Sequence, residues 1–155
     1  MSYKDIQTNT DFLLKSKYMV LSENRKAELK KITMQCPGFS CQGDLGYFFD
    51  LFLICEATAR KLIFYYKKET FRTESQIYTI KEVKAALNLF SLLNTNDFNF
   101  VDFIFKSGIG SRGNKTCRQL RNDYIHNLSL IDRSEIENRN VDLIGNMNKW
   151  IKLFQ

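Results

Sequence analysis

The sequence predicts an all-α protein, most simply a four-helix-bundle-like domain with about five helices. Its 155 residues include one proline and seven glycines, so few positions interrupt regular structure. Apolar residues recur at helical spacing over long stretches, and a composition of 44% hydrophobic and 26% charged residues fits a folded globular chain. Because this length suits one domain and is short for two, we expect residues 1–155 to form a single domain.

The first half of the chain predicts two helical regions joined by a loop. Residues 10–35 have helical periodicity, and Ser22 could interrupt this region and cap the segment ENRKAELKKITM. Residues 36–44 contain proline and glycine and therefore predict a loop, with Asp44 as the N-cap of the next helix. That helix, over about 45–68, is apolar nearly all round, which predicts a central position.

The second half of the chain predicts further helices. Residues 80–94 carry apolar side chains at helical spacing. Residues 97–107 alternate phenylalanines, a pattern that fits either a short strand or an aromatic helical turn, and we favour the helix. A basic, glycine-rich loop follows over 108–114.

Two capping boxes predict the last two helices. Thr116 and Gln119 form the first box, which predicts a helix from Cys117 to about 130. Asp132 and Glu135 form the second box, which predicts the start of one last helix that continues towards the C-terminal residues.

Charge, hydrophobicity and cysteine content favour a nucleic-acid-binding protein and argue against a membrane, exported or metal-binding one. The net charge of +6 favours a polyanionic partner such as nucleic acid.

The most hydrophobic span, YFFDLFLICEATARKLIFYY, is interrupted by four charged residues and predicts a core helix and no membrane anchor. Residues 1–17 lack the apolar run of an export signal, so we expect a cytoplasmic protein with reduced thiols. Because only Cys36 and Cys41 lie close together, the sequence predicts no metal site, and it predicts no cofactor.

The only histidine, His126, lies in the segment RNDYIH. On the helix predicted from Cys117, each residue advances ~100°, so His126 lies opposite the apolar stripe and shares its face with Asn122. The amide of Asn122 could hold one ring nitrogen of His126 and fix its tautomer. Arg121 lies ~140° from His126, so one straight helix does not aim both at one point, whereas two copies facing each other across a dimer could pool their groups. The stripe expected to face the core consists of Cys117, Leu120, Tyr124, Leu128 and Ile131.

The segment LRNDYIHN resembles the signature of the HEPN superfamily, which is an arginine, a polar residue, three more residues and a histidine. The segment ICEATARKLI of the central helix resembles an earlier helix of that family, which often carries an acidic residue, here Glu56. The resemblance extends over residues 44–155 and leaves 1–43 as an unmatched N-terminal helical extension.

HEPN domains are helical bundles that commonly dimerise, and many are metal-independent ribonucleases found as toxins, abortive-infection proteins and CRISPR-associated effectors. The resemblance implies an endoribonuclease of toxin or phage-defence type, with RNA as substrate, a homodimeric composite site, and an antitoxin or other regulatory protein as a further partner. His126 would transfer the proton when the ribose 2′-OH attacks phosphorus, Arg121 would neutralise the phosphoryl oxygens, and Asn122 would orient His126.

The motif departs from one branch of the family. Toxins paired with a nucleotidyltransferase antitoxin often carry a tyrosine two residues after the histidine, where this chain has Leu128. Tyr124 lies instead inside the motif, on the core stripe, in a supporting position. That partner and its modification of tyrosine are therefore not implied here.

Other charged residues near the motif leave alternatives open. Arg112, Lys115 and Arg118 flank the motif helix and could grip RNA phosphates. Glu56 could pair with Arg60 on its own helix, or with Arg121 of the motif helix.

Two other functions compete with catalysis. The first is a non-catalytic HEPN-like bundle that acts as a binding module or partner protein. The second is nucleotide binding by GIGSRG, which has the Gly-x-Gly-x-x-Gly pattern of a phosphate-binding loop. That motif requires a strand before the loop, and Asn114 displaces Lys115 from the spacing of a P-loop.

Overall fold

A computed structural model describes residues 20–35, 37–38, 43–69, 79–93, 98–108 and 113–155. These ranges contain seven helices and no β-strand, which confirms the all-α prediction but exceeds the expected number of helices. The helices are α1 (Glu23–Thr33), α2 (Gly43–Glu69), α3 (Ile80–Leu89), α4 (Asn99–Phe105), α5 (Cys117–Asn127), α6 (Leu130–Asn138) and α7 (Asn140–Lys152). The helical region predicted before residue 20 lies outside the described residues.

Helix α2 is the centre of the fold, as its apolar sequence predicts. It packs against α1, α3, α5, α6 and α7, and Phe48, Phe52 and Leu62 are completely buried along it. The helix begins at Gly43, so Asp44 lies in its first turn and is not the N-cap. No helix in the described ranges is both long and apolar enough to cross a membrane.

Aromatic residues from α4 and from the C-terminal end of the chain pack together at one side of the core. The indole N–H of Trp150 donates to the buried hydroxyl of Thr58 on α2 at 2.6 Å. The Trp150 ring packs edge-on against Phe105 and Phe154, with centroids 4.7 Å and 5.1 Å away. Asn99–Phe105 form α4, so the helical interpretation of this aromatic segment is confirmed over these residues, and Phe105 is buried at the end of the helix.

Two predicted N-caps are confirmed. The hydroxyl of Ser22 accepts from the backbone N–H of Arg25 at 3.3 Å, and α1 begins at the next residue, Glu23. The hydroxyl of Thr116 accepts from the N–H of Gln119 at 3.2 Å, and α5 begins at Cys117.

The second predicted capping box is wrong. The hydroxyl of Ser129 accepts from the N–H groups of Ile131 and Asp132 at 3.2 Å and 3.5 Å, so α6 begins at Leu130. The carboxylate of Asp132 does not cap because it binds the ammonium of Lys115.

The predicted single C-terminal helix is also wrong, because Arg139 divides it into α6 and α7. The guanidinium of Arg139 donates to the carbonyl of Lys115 at 2.8 Å and pairs with Glu135 at 2.8 Å. These contacts attach the break to the start of α5. Helix α3 likewise ends at Leu89, short of the expected residue 94, and Ser91 has a positive φ of 54°.

Candidate functional site

Arg121 on α5 is directed at the central helix. Its Nη2 atom donates to both carboxylate oxygens of Glu56 on α2, at 3.1 Å and 3.0 Å. The guanidinium carbon lies 5.0 Å from the ring centroid of Phe52, a cation–π contact. The side chains of Arg121 and Glu56 are 21% and 13% exposed, so this ion pair is largely shielded from water. The hypothesis of a Glu56–Arg121 contact is therefore confirmed.

Glu56 uses only one nitrogen of this guanidinium. The Nε–H group of Arg121 is buried and has no acceptor among the described residues. The Nη1 atom makes no hydrogen bond within the same part of the chain. The planar guanidinium is thus held at Nη2, while Nη1 retains donors for an oxygen ligand and Nε is enclosed by the protein.

Glu56 also pairs with Arg60 one turn later on α2, at 3.5 Å. Both pairings considered from the sequence therefore occur together. Arg60 is 51% exposed, so its share of this interaction is the weaker one.

His126 lies at the opposite edge of α5 from the core. It is exposed and lies in the last turn of the helix, which ends at Asn127. Asn122 is partly exposed on the same face, as expected, yet no hydrogen bond joins it to His126 among the described residues. Helical spacing predicts the shared face but not the contact.

Arg121 and His126 do not converge within one chain. Arg121 contacts Glu56 on α2, while His126 faces solvent, in keeping with the ~140° between them around the helix. A phosphodiester held at Arg121 of this chain is therefore not also held at its own His126.

Lys115 is engaged by carboxylates from two helices. Its ammonium lies 2.8 Å from Asp123 on α5 and 2.7 Å from Asp132 on α6. The hydrogen bonds that the ammonium donates to these carboxylates, that to Asp123 first, raise the pKa of Lys115 well above its ordinary value. Lys115 is thus a cross-link between helices, which reduces its capacity to bind RNA phosphates.

Asp123 is the residue of this region that the sequence reasoning missed. The Lys115 ammonium, followed by the side-chain amide of Gln119 at 2.9 Å, lowers the pKa of its carboxyl group. His126, three residues later, contributes a smaller electrostatic effect of the same sign. The four-residue spacing of Gln119 and Asp123 is the signal that could have indicated this cluster.

The remaining predicted RNA-binding residues are placed only in part. Arg118 donates to the carbonyl of Phe105 at 3.4 Å, which ties its side chain to the end of α4. Arg112 lies outside the described residues. The described residues therefore do not bring Arg112, Lys115 and Arg118 together as one phosphate-binding surface.

The glycine-rich loop lacks two features that nucleotide binding requires. The element before it is the helix α4, not a strand. Lys115 after it is bound by two carboxylates. The backbone N–H of Gly108 donates to the side chain of Gln119 at 3.0 Å, so the described end of the loop rests on α5.

The predicted apolar stripe of α5 is confirmed for its first three residues and wrong for its last two. Cys117 and Leu120 are buried, and Tyr124 packs against Phe49 of α2 with ring centroids 5.8 Å apart. Leu128 and Ile131 are 70% and 80% exposed, because α5 ends before them and Leu128 adopts a left-handed conformation. Four exposed apolar side chains thus lie close to His126 in the sequence, and they are called here the α5–α6 patch: Ile125, Leu128, Leu130 and Ile131.

The described cysteines do not form a reactive site. Cys55 and Cys117 are free and buried, and burial raises the pKa of both thiols. Such thiols are poor nucleophiles. Cys36 and Cys41 lie outside the described residues, and within the described ones no three histidine, cysteine or acidic side chains are grouped to hold a metal ion.

The site thus offers a fixed guanidinium, an exposed imidazole on the same helix, and an apolar surface between α5 and α6. The first suits binding of a phosphate oxygen, and the second suits proton transfer. Comparison with protein-family models, with curated proteins and with solved structures finds no match to this chain.

Proposed function

We propose that this chain is a HEPN-type, metal-independent endoribonuclease that acts as a homodimer in a toxin or phage-defence role. The observation that carries the proposal is the position of Arg121, held by Glu56 and Phe52 with its Nη1 group not hydrogen-bonded to any described residue, on the same helix as the exposed His126. This is the pair of residue types that cleavage of a phosphodiester requires.

The chemistry needs only these groups and the substrate. His126 accepts the proton of the ribose 2′-OH while a bond forms between the 2′-oxygen and phosphorus and the bond to the 5′-oxygen breaks. The departing 5′-oxygen takes a proton from solvent water, and His126 releases to solvent the proton that it accepted. Arg121 neutralises the charge that develops on the phosphoryl oxygens. The products are a 2′,3′-cyclic phosphate and a 5′-hydroxyl end.

Arg121 and His126 of one chain face different directions, so they cannot act on the same phosphodiester. In a dimer, Arg121 of one chain and His126 of the other can lie in one cleft. The α5–α6 patch supports this part of the proposal because it exposes four aliphatic side chains beside His126. Self-association through this patch would cover apolar surface and bring two copies of the motif helix together around a two-fold axis.

The proposal is tested by incubating a fluorescent RNA with the purified chain in EDTA. We expect cleavage that survives chelation and falls at least ~100-fold in His126→Ala and in Arg121→Ala. Asn127→Ala, which changes an exposed neighbour of His126, is the matched control and should cleave normally. An RNA with 2′-deoxy residues should resist cleavage. The proposal is rejected if a folded, dimeric protein leaves RNA intact or cleaves it only with a metal.

A non-catalytic HEPN-like binding module is the second candidate. It is favoured by the engagement of Arg121 with both oxygens of Glu56 and by the absence, among the described residues, of a hydrogen bond that orients His126. In that case RNA remains intact, and the α5–α6 patch binds a partner protein such as an antitoxin-like module.

A further inference from the structure

One face of the second half of α2 combines cations with an exposed aromatic ring. The residues of this α2 strip are Arg60, Lys61, Phe64 and Lys68. At ~100° and ~1.5 Å per residue they lie on one side of the helix over about 12 Å. Phe64 is 37% exposed, although most phenylalanines of the described chain are buried or packed against the core. Arg60 is 51% exposed, and Lys68 is exposed as well.

The cations of the α2 strip are only partly engaged by the carboxylates that the structure describes. Lys61 pairs with Glu28 of α1 at 3.4 Å, and Arg60 shares Glu56 with Arg121. Lys68 makes no ion pair with any described residue. The α2 strip thus carries three cations, and at least Lys68 is available to a ligand among the described residues, so this basic surface suits a polyanion.

The strip is continuous with Arg121. Glu56 contacts both Arg60 and Arg121, so the strip begins where the guanidinium of the motif lies. The contacts of Tyr124 with Phe49 and of Arg121 with Phe52 show that α5 runs antiparallel to α2, so the strip extends along α2 away from the His126 end of α5.

Phe64 distinguishes among polyanions. The ammonium of Lys61 lies over the partly exposed ring of Phe64, 5.5 Å from its centroid. A base that stacks on this ring takes the place of that cation–π contact and leaves the ammonium for its own phosphate. Only an unpaired base has a free face for such stacking, so the combination suits a single strand and not a duplex.

We propose that the α2 strip is the surface that holds single-stranded RNA and leads it to Arg121. This inference rests on the proposed ribonuclease function for the identity of the polyanion. Arg60 and Lys68 bind successive phosphates, Phe64 stacks on a base between them, and Lys61 binds the phosphate of that base.

Binding is measured by fluorescence anisotropy with a fluorescein-labelled single-stranded oligoribonucleotide, in a His126→Ala background that does not cleave. We expect Phe64→Leu to weaken binding about 10-fold, and Phe64→Trp to retain it. We expect Lys68→Gln to weaken binding and to reduce the slope of log affinity against log salt by about 0.7. Lys152→Gln, which removes another exposed lysine, on α7, is the matched control and should leave the slope unchanged.

Three results would overturn the inference: no RNA binding at all, equal binding by the Lys68, Phe64 and Lys152 variants, or Phe64-dependent binding to anionic phospholipid vesicles in place of RNA. Cleavage separates this inference from the proposed activity. If RNA is bound through the strip but the otherwise unaltered chain never cuts it, the ribonuclease proposal fails and the strip remains. If the strip variants cut RNA as fast as the unaltered chain, the strip fails and the ribonuclease remains.

Discussion

At the scale of single residues, the distinctive feature of this chain is a guanidinium held by one carboxylate and one ring. Arg121 is four-fifths buried, and removing a charge of this size from water is costly unless a partner is present. Glu56 supplies that partner from another helix, and Phe52 covers the face of the group. The same contact therefore stabilises the packing of α5 on α2 and determines where Arg121 points.

We predict that Glu56→Gln lowers the free energy of unfolding by about 2 kcal/mol, because it leaves the Arg121 charge partly buried without its counter-ion. Urea unfolding followed by circular dichroism measures this change. The matched control is Glu137→Gln, which removes an exposed ion pair of 3.1 Å to Arg133 and should change stability by less than about 0.5 kcal/mol. Equal effects of the two substitutions would show that burial of the Glu56–Arg121 pair contributes nothing.

The sequence predicts some of these residues well and others poorly. The exposure of His126 follows from the helical periodicity of its own segment, which requires only local information. The Glu56–Arg121 contact could be proposed because both residues lie in helices with identifiable starts. The contact of Lys115 with Asp132 could not be predicted, since the sequence pattern assigns Asp132 to a cap and the contact depends on how α6 packs beside α5.

At the scale of helices, the start of α5 is fixed by a cluster that joins three segments. Lys115 links Asp123 of α5 to Asp132 of α6, and its carbonyl accepts from Arg139 at the junction of α6 and α7. The hydroxyl of Thr116 donates to the carbonyl of Lys106 at 2.7 Å, which adds the end of α4. The helix that carries Arg121 and His126 is thus oriented from its N-terminal end.

We predict that Lys115→Met destabilises the protein at neutral pH and that this effect decreases in acid. Because Lys115 lowers the pKa of Asp123, the stabilisation is present above the ordinary aspartate pKa of about 4, and it is lost as pH falls through the lower folded-state value. Urea midpoints of both proteins, measured from pH 7 down to pH 3, give the comparison.

The control for this experiment is Lys26→Met, which removes a lysine whose partner Glu23 is almost fully exposed. This substitution should leave the urea midpoint nearly unchanged at every pH. A Lys115→Met deficit that stays constant from neutral to acid pH would mean that the lysine stabilises the fold through packing of its carbon chain and not through Asp123.

The helix boundaries show where sequence patterns have limited power. Thr116 and Ser22 cap as predicted because a hydroxyl before a helix needs only its own backbone to bond. Asp132 matches the same pattern but binds Lys115, which precedes α5, and the hydroxyl of Ser129 caps α6 instead. A pattern predicts a local bond reliably only where no distant partner competes for the side chain.

At the scale of the whole molecule, the central question is what the α5–α6 patch contacts. Single exposed apolar residues are normal on a protein surface, but four of them lie here within residues 125–131, between 51% and 80% exposed. The patch lies beside His126, whereas Arg121 points to the interior of its own chain. A two-fold contact through the patch would therefore supply the missing proximity of the two groups.

We predict that Ile131→Asp converts the protein to a monomer and lowers RNA cleavage at least ~100-fold, because a carboxylate at the centre of the contact must be desolvated. Sedimentation velocity and the fluorescent-RNA assay measure the two effects on the same sample. Met34→Asp is the matched control, since Met34 is 71% exposed at the end of α1, away from the patch. It should leave both association and cleavage unchanged.

Mixing two inactive chains provides the stricter measurement of this composite site. A dimer of Arg121→Ala with His126→Ala contains one intact set, with Arg121 from one chain and His126 from the other. We expect cleavage to return on mixing, and to fail when either chain also carries Ile131→Asp. A monomeric Ile131→Asp protein that cleaves at the normal rate would instead mean that Arg121 and His126 act within one chain, by a rearrangement of α5 that breaks the contact with Glu56.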